Sequence, residues 1–195
     1  MNLLFRSVLS ISILVLALPL YALELAKEQQ AFFNKIKAHC GKAYLGKVIV
    51  DTHPSPSFQK EPLIMHVRQC TDQQLHIPFH IADDASRTWI ITKQPNRLHF
   101  THDHRKPDGA EDPLSWYGGH TLTLGSETEQ AFPIDDKTKA IFTHHGLTAS
   151  LTNTWIVGIN DTTFTYKLVR PNREFVVEFD LSNPITPPSA PWGYE

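Results

Sequence analysis

Long runs of one charge are missing from this chain of 195 residues. Lys and Arg together number 18 against 20 Asp and Glu, and no stretch of consecutive basic residues is longer than two. Proteins that bind nucleic acids need a clustered basic surface for the phosphate backbone, so no nucleic-acid partner is predicted. Charged residues make up 19% of the chain and aromatic residues 10%, a composition typical of a folded domain rather than a disordered one.

The motifs of several common enzyme classes are also missing. The chain contains no Gly-x-Ser-x-Gly, no phosphate-binding loop, no dinucleotide-binding fingerprint, no His-Glu-x-x-His and no Cys-x-x-Cys. Each of these patterns places a nucleophile, a phosphate cradle or a pair of metal ligands at a fixed spacing. Without them we expect binding rather than catalysis, and no cofactor is predicted from a motif.

Cysteine is scarce, with Cys40 and Cys70 as the two copies. In an exported protein an even number of cysteines favours a disulfide bond, while a pair of buried thiols is the alternative. The N-terminus favours export, because Arg6 precedes an uncharged, mostly apolar run over residues 7–20 and Ala22 offers a small residue for cleavage. That run is shorter than the roughly 20 residues that span a bilayer.

We therefore predict a signal peptide over residues 1–22, a retained membrane anchor being the alternative. The mature protein is expected to be periplasmic or secreted and to have no membrane span. Its length suits one domain with a substantial core, which we assign to residues 23–181. The last residues, 182–195, contain four prolines and predict an extended tail.

Period-two alternation of apolar residues dominates the predicted domain. In "QLHIPFHIA" the apolar residues at 75, 77, 79 and 81 alternate with polar or small ones, as in a strand with one buried face. About nine such strands follow one another through short turns, with a helix at residues 25–39 and a second helix, capped by Asp135 or Asp136, before the last three strands. This pattern predicts a mainly β fold, a single antiparallel β-barrel or a barrel-like sandwich.

The most polar stretch is "HFTHDHRKPDGAED", residues 99–112. Leu98 and Phe100 are apolar and share strand parity with His102 and His104, so the latter two side chains are expected to point inward near one mouth of the barrel. The opposite face, with His99 and Asp103, is expected to face solvent. Two histidines at positions i and i+2 form half of a metal site, whereas an ordinary polar rim beside a turn is the simpler interpretation.

Two hypotheses for the function follow from these residues. An apolar cavity lined by Trp89 and Trp116, with a polar mouth at His102, His104 and His120, would bind a small amphipathic ligand. A metal-dependent enzyme would instead use His102 and His104 with Asp108 and His120 as ligands of zinc or another divalent metal.

A third hypothesis assigns the chain to the interaction proteins of the bacterial envelope. In that case the proline-rich tail, through Trp192 and Tyr194, would dock on a protein partner. The alternative for the tail is packing against its own barrel.

Several segments, taken in order, resemble a family of uncharacterised bacterial secreted proteins. They are "FHIADDASRTW", "HDHRKPDGAEDPLSWYGG", "FPID", "TNTW" and "RPNREFVVEFDL", and the resemblance extends over roughly residues 32–181. It implies export in a bacterium, to the periplasm, but no reaction, ligand or catalytic residue. The glycines of "CGKAYLGKV" resemble the opening strand of lipocalin-like barrels, although the Gly-x-Trp motif of that family is absent.

Overall fold

A computed structural model describes residues 24–195; the predicted signal peptide lies outside the described residues. Eleven strands make up the largest share of regular structure in the described residues. They are β1 (Ala43–Asp51), β2 (Leu63–His66), β3 (Gln69–Cys70), β4 (Gln74–Ile81), β5 (Asp84–Gln94), β6 (Arg97–His104), β7 (Tyr117–His120), β8 (Glu129–Pro133), β9 (Thr154–Ile159), β10 (Thr163–Arg170) and β11 (Arg173–Asp180).

Three α-helices interrupt or precede the strands: α1 (Lys27–Lys37), α2 (Pro56–Lys60) and α3 (Asp136–His144). A single turn of 3-10 helix covers Thr148–Ser150. Asp135 is the N-cap of α3, since its side chain accepts a hydrogen bond from the backbone N–H of Thr138. The two predicted helices are confirmed as α1 and α3. No helix was predicted where α2 lies.

The strands form one antiparallel sheet in the order β7-β6-β5-β4-β2-β1-β11-β10-β9-β8, with β3 paired to β4. The two edges of this sheet, β7 and β8, meet through a bridge between Gly119 and Ile134. A backbone hydrogen bond of 3.2 Å from the Asp135 N–H to the Gly118 carbonyl extends the contact. The predicted mainly β, barrel-like fold is confirmed as a nearly closed barrel, and we call the β7–β8 contact the seam.

Two consecutive glycines, Gly118 and Gly119, make the seam possible. A Cβ atom on Gly118 would lie 1.8 Å from the Phe100 carbonyl oxygen, and one on Gly119 would lie 2.0 Å from that of Pro133. No side chain is accommodated at such distances, so β7 approaches β6 on one side and β8 on the other only because both residues lack a Cβ atom.

Alternation along the strands places one set of side chains inside the barrel, where it forms a filled core. Leu75, Ile77 and Phe79 of β4 are buried, as are the apolar residues that face them from the other strands. Helix α1 closes one end, because Phe32, Phe33 and Ile36 are fully buried in the same core. The barrel is therefore open toward solvent at the opposite end, where α2 lies.

The predicted disulfide joins Cys40, just after α1, to Cys70 in β3, with 6.2 Å between the two Cα atoms. It ties the helix that closes the barrel to the strands beside it. Such bonds are found mainly in proteins of oxidising compartments, so the bond fits an extracellular or periplasmic protein. Among residues 24–195, no helix has the length and apolar character needed to cross a membrane.

Three parts of the strand prediction need correction. The pattern of "PLIMHVRQC" predicts one strand, but the segment forms two short strands, β2 and β3. Strand β8 lies in a stretch for which the pattern predicts no strand. The pattern of "TASLTNTWIVGI" predicts a strand from its first residue, but "TASLTN" forms the 3-10 helix and a turn before β9.

Candidate functional site

A cavity of about 160 Å³ opens at the end of the barrel opposite α1. It lies among inward-facing residues of six strands and one residue of α2. The lining consists of Phe58, Phe79, Arg87, Trp89, His102, His104, Tyr117, Tyr166, Leu168, Arg173 and Phe175. Strand register explains the polar part: Arg87 pairs with His104 and Trp89 with His102 across β5 and β6, and positions two residues apart share a face.

Stacked aromatic rings form the floor of this cavity. The indole of Trp89 lies parallel to the ring of Tyr166, with 4.5 Å between centroids, and parallel to that of Phe79 at 4.7 Å. Phe58 on α2 contacts the ring of Phe175 edge-on at 4.9 Å and so covers part of the opening. Any occupant would therefore lie against flat aromatic surfaces.

His102 is fixed in the wall of the cavity by hydrogen bonds at both ring nitrogens. Its Nδ1 lies 3.2 Å from the Tyr117 carbonyl oxygen, and its Nε2 lies 2.9 Å from the Tyr166 hydroxyl. A carbonyl only accepts, so Nδ1 carries the proton and Nε2 accepts from the hydroxyl of Tyr166. Burial lowers the pKa of His102 well below its usual value, with a smaller contribution from His104, so the ring is neutral and held in one tautomer.

His104 lies closer to solvent on the same face of β6. Its Nε2 is 3.2 Å from the Tyr117 hydroxyl. Burial, together with the positive charge of Arg87, lowers the pKa of His104 to about 4, although nearby carboxylates oppose the shift. At neutral pH both cavity histidines are uncharged, which leaves the two arginines as the positive groups of the lining.

Each of those arginines has a carboxylate partner beside the cavity. Arg87 donates through one terminal nitrogen to Asp84 at 2.6 Å, and Arg173 donates to Asp51, whose side chain is 3% exposed. A guanidinium has five N–H donors in a fixed planar array. Arg173 also donates to the Glu174 carbonyl at 3.1 Å, and both guanidinium groups retain further N–H donors.

Three of the five predicted ligand-binding residues, Trp89, His102 and His104, line the cavity. The remaining two, His120 and Trp116, lie outside the barrel. His120 pairs with His99 across β6 and β7 and therefore shares its outward direction. Trp116 has a left-handed backbone with φ of 63° and donates from its indole N–H to Glu111 at 2.7 Å on the surface.

The predicted metal set of His102, His104, Asp108 and His120 needs correction, because the structure does not bring these side chains together. Within the described residues, the one group of three converging His, Cys, Asp or Glu side chains is a different one. His102 already uses both nitrogens, Asp108 lies in an exposed turn where its carboxylate accepts from the Ala110 N–H, and His120 is on the outer face. The metal-enzyme hypothesis based on His102 and His104 loses its geometric basis.

The group that does converge consists of His99, His120 and Asp135, and we call it the seam cluster. The two imidazole rings are stacked, with 4.1 Å between centroids and 8° between planes. Oδ2 of Asp135 lies 3.2 Å from Nε2 of His99 and 3.6 Å from Nδ1 of His120. Burial, with smaller contributions from the neighbouring His99 and Arg97, lowers the pKa of His120 to about 4.

Sequence reasoning did not find this cluster. It predicted a solvent-facing His99, it assigned Asp135 a capping role, and it grouped His120 with the cavity. The Gly-Gly pair before His120 could have indicated the cluster, because two consecutive glycines in a strand indicate that neighbouring strands approach closely on both sides. Recognising it requires the partner strand β8, which the sequence pattern did not predict.

The tail, residues 182–195, lies against its own barrel. The Ile185 N–H donates to the Ala43 carbonyl, and the Trp192 N–H donates to that of Ala85. The Tyr194 hydroxyl donates to the carboxylate of Asp103, which is 0% exposed. Asp103 was expected to face solvent, and this is wrong because the tail covers it. Trp192 and Tyr194, which the envelope-interaction hypothesis assigned to a protein partner, thus contact the barrel itself. That hypothesis stays a prediction.

No family model matches the chain, and no curated protein or solved structure matches it significantly. Its function is therefore inferred from the geometry of the cavity and of the seam cluster.

Proposed function

We propose that the protein binds a small amphipathic molecule, with an anionic group and a short aromatic or apolar body, in the cavity at the open end of the barrel. The observation that carries the proposal is the pairing of a flat aromatic floor with two arginines at the opening. The protein would act as an exported binding protein of the periplasm.

The size of the cavity limits the ligand. Pockets for drug-sized molecules usually measure about 300–1,000 Å³, whereas this cavity measures about 160 Å³. An apolar cavity of about 150 Å³ is large enough for benzene. The body of the ligand would thus be about one six-membered ring, unlike the long apolar ligands that the lipocalin-like resemblance would favour.

The charge of the lining supports an anionic head group. Arg87 and Arg173 are the cationic residues of the lining, and both retain N–H donors beyond their contacts with Asp84 and Asp51. Hydrogen bonds from a guanidinium to a carboxylate are stronger than neutral ones and favour a planar, bidentate partner. A small aromatic carboxylate satisfies both the floor and the rim.

The experiment is isothermal titration calorimetry of the protein without its signal peptide, with benzoate and its uncharged isostere benzamide as probes. We expect benzoate to bind at least about tenfold more tightly than benzamide, because the carboxylate gains a charge-assisted contact worth roughly 1.5–3 kcal/mol. Arg87→Gln should remove that preference while leaving binding of benzamide unchanged.

Arg97→Gln is the matched control, because Arg97 is an exposed arginine at the opposite end of β6. The proposal is wrong if neither probe binds, or if the Arg97 variant loses the carboxylate preference as fully as the Arg87 variant. A complementary measurement is native mass spectrometry of protein isolated from the periplasm, where a co-purifying small acid is expected.

A further inference from the structure

We propose that the seam cluster, His99, His120 and Asp135, binds one divalent transition-metal ion of the zinc class at the point where the barrel closes. This site is separate from the cavity and does not depend on the ligand proposed for it. Three ligand atoms lie close together, backbone contacts hold them, and Asp135 divides its two oxygens between helix α3 and the two imidazoles.

The ligand atoms are already spaced as they would be around a small cation. All three lie within 4.8 Å of one another, and the two nitrogen-to-oxygen distances are 3.2 and 3.6 Å. Two ligands that each lie about 2.1 Å from a tetrahedral zinc ion are separated by about 3.4 Å. An ion could therefore enter between the imidazoles and the carboxylate once the two rings, which are stacked with 8° between their planes, rotate so that both nitrogen lone pairs point at it.

Three separate backbone contacts hold these side chains in place. His99 and His120 are directly opposite each other in the β6–β7 pairing. The Gly119–Ile134 bridge and the hydrogen bond from the Asp135 N–H to the Gly118 carbonyl bring Asp135 to the same point. The site thus draws on β6, on the last residue of β7 and on the N-cap of α3, so that a bound ion would join the two edges of the sheet.

Asp135 divides its oxygens between two tasks. Oδ1 accepts the hydrogen bond of 2.8 Å from the Thr138 N–H that caps α3, whereas Oδ2 is directed at both imidazoles. The distance of 3.6 Å to His120 is too long for a hydrogen bond. Strand register and ring stacking bring His120 to this carboxylate, and a cation between the three ligand atoms would replace the missing hydrogen bond with a bond to each of them.

The ligand types select the class of metal. Two imidazole nitrogens and one carboxylate oxygen suit zinc and its neighbours, whereas calcium and magnesium prefer oxygen ligands. The side chains of His99, His120 and Asp135 are 20%, 18% and 13% exposed, so water can complete the coordination.

The experiment measures zinc itself. Protein without its signal peptide or an affinity tag is incubated with zinc, desalted and analysed for bound metal, and its thermal midpoint is recorded with and without zinc. We expect one zinc ion per chain and a higher midpoint in zinc, because the ion binds the folded state.

His120→Ala should weaken zinc binding by about tenfold or more and abolish the rise in midpoint. Asp135→Asn is the second variant, since Asn caps helices as well as Asp does; it should keep the fold and lose the metal. The control is the double variant His144→Ala, His145→Ala, which removes an exposed pair of histidines at the end of α3 and should retain full binding. The proposal fails if no zinc is retained, if the control loses as much zinc as His120→Ala, or if Asp135→Asn binds zinc normally while folded.

Discussion

Removal of the Cys40–Cys70 disulfide is expected to cost a large share of the stability of the barrel. The two residues are separated by 30 positions in the sequence. In the chain-entropy treatment, opening a loop of that length returns about 12 cal/mol/K to the unfolded chain, which corresponds to about 3.6 kcal/mol at 25 °C. For a domain of this size that loss lowers the thermal midpoint by about 7–14 °C.

The measurement is urea unfolding of the wild type and of the double variant Cys40→Ala, Cys70→Ala, followed by circular dichroism. The midpoint should fall, and the dependence of the free energy of unfolding on urea should rise slightly, because the unfolded chain without the bond is more expanded. Wild type treated with a reducing agent should match the variant, and the variant should not respond to the agent.

A local effect is expected in addition. The bond lies between the end of α1 and β3, so hydrogen exchange in α1 should accelerate more than in the strands on the other side of the barrel. A loss of less than about 1 kcal/mol, or a uniform change in exchange, would refute the argument that the bond acts by closing this loop and holding this helix.

Three further predictions concern other parts of the molecule. Acidification from pH 7.5 to pH 5 should lower the free energy of unfolding by about 2 kcal/mol through His104. The folded-state pKa of His104, about 4, lies below the ordinary value of 6.5, so the unfolded chain takes up the proton first. His104→Phe should make the free energy of unfolding, measured in urea at each pH, less dependent on pH. Gly118→Ala should destabilise the barrel by at least about 3 kcal/mol, because the new Cβ atom would clash with the Phe100 carbonyl. The control Gly146→Ala lies in open space but at positive φ and should cost only about 1 kcal/mol. Equal thermal midpoints for the two variants would contradict this prediction. Tyr194→Phe removes a hydrogen bond to the buried carboxylate of Asp103. The free energy of unfolding, measured in urea, should fall by about 1.5–3 kcal/mol. An unchanged midpoint would mean that this contact does not hold the tail.

The sequence was sufficient to predict the fold class because the signal is local. Alternation in "RLHFTHDHR" depends on the geometry of one strand, and it correctly directs Phe100, His102 and His104 inward. The cap of α3 at Asp135 is equally local, since a helix start is encoded in a few consecutive residues.

The parts that sequence reasoning missed depend on which strands are neighbours. His99 and His120 meet because of the register between β6 and β7, and Asp135 joins them only through β8. That strand contains five residues and ends in Pro133, so it gives a weak pattern. Burial of Asp103 depends on the tail, which is separated from it by 91 positions. No local pattern reports contacts of this kind.

The neighbouring positions of β1 and β11 in the sheet have a consequence for the order of events during synthesis. The hydrogen-bonded ring cannot be completed until the C-terminal strand has been made, and non-local pairing of this kind slows folding. Until then the free edge of β1 stays without its β11 partner, and an unpaired strand edge can pair with the wrong strand or with another chain.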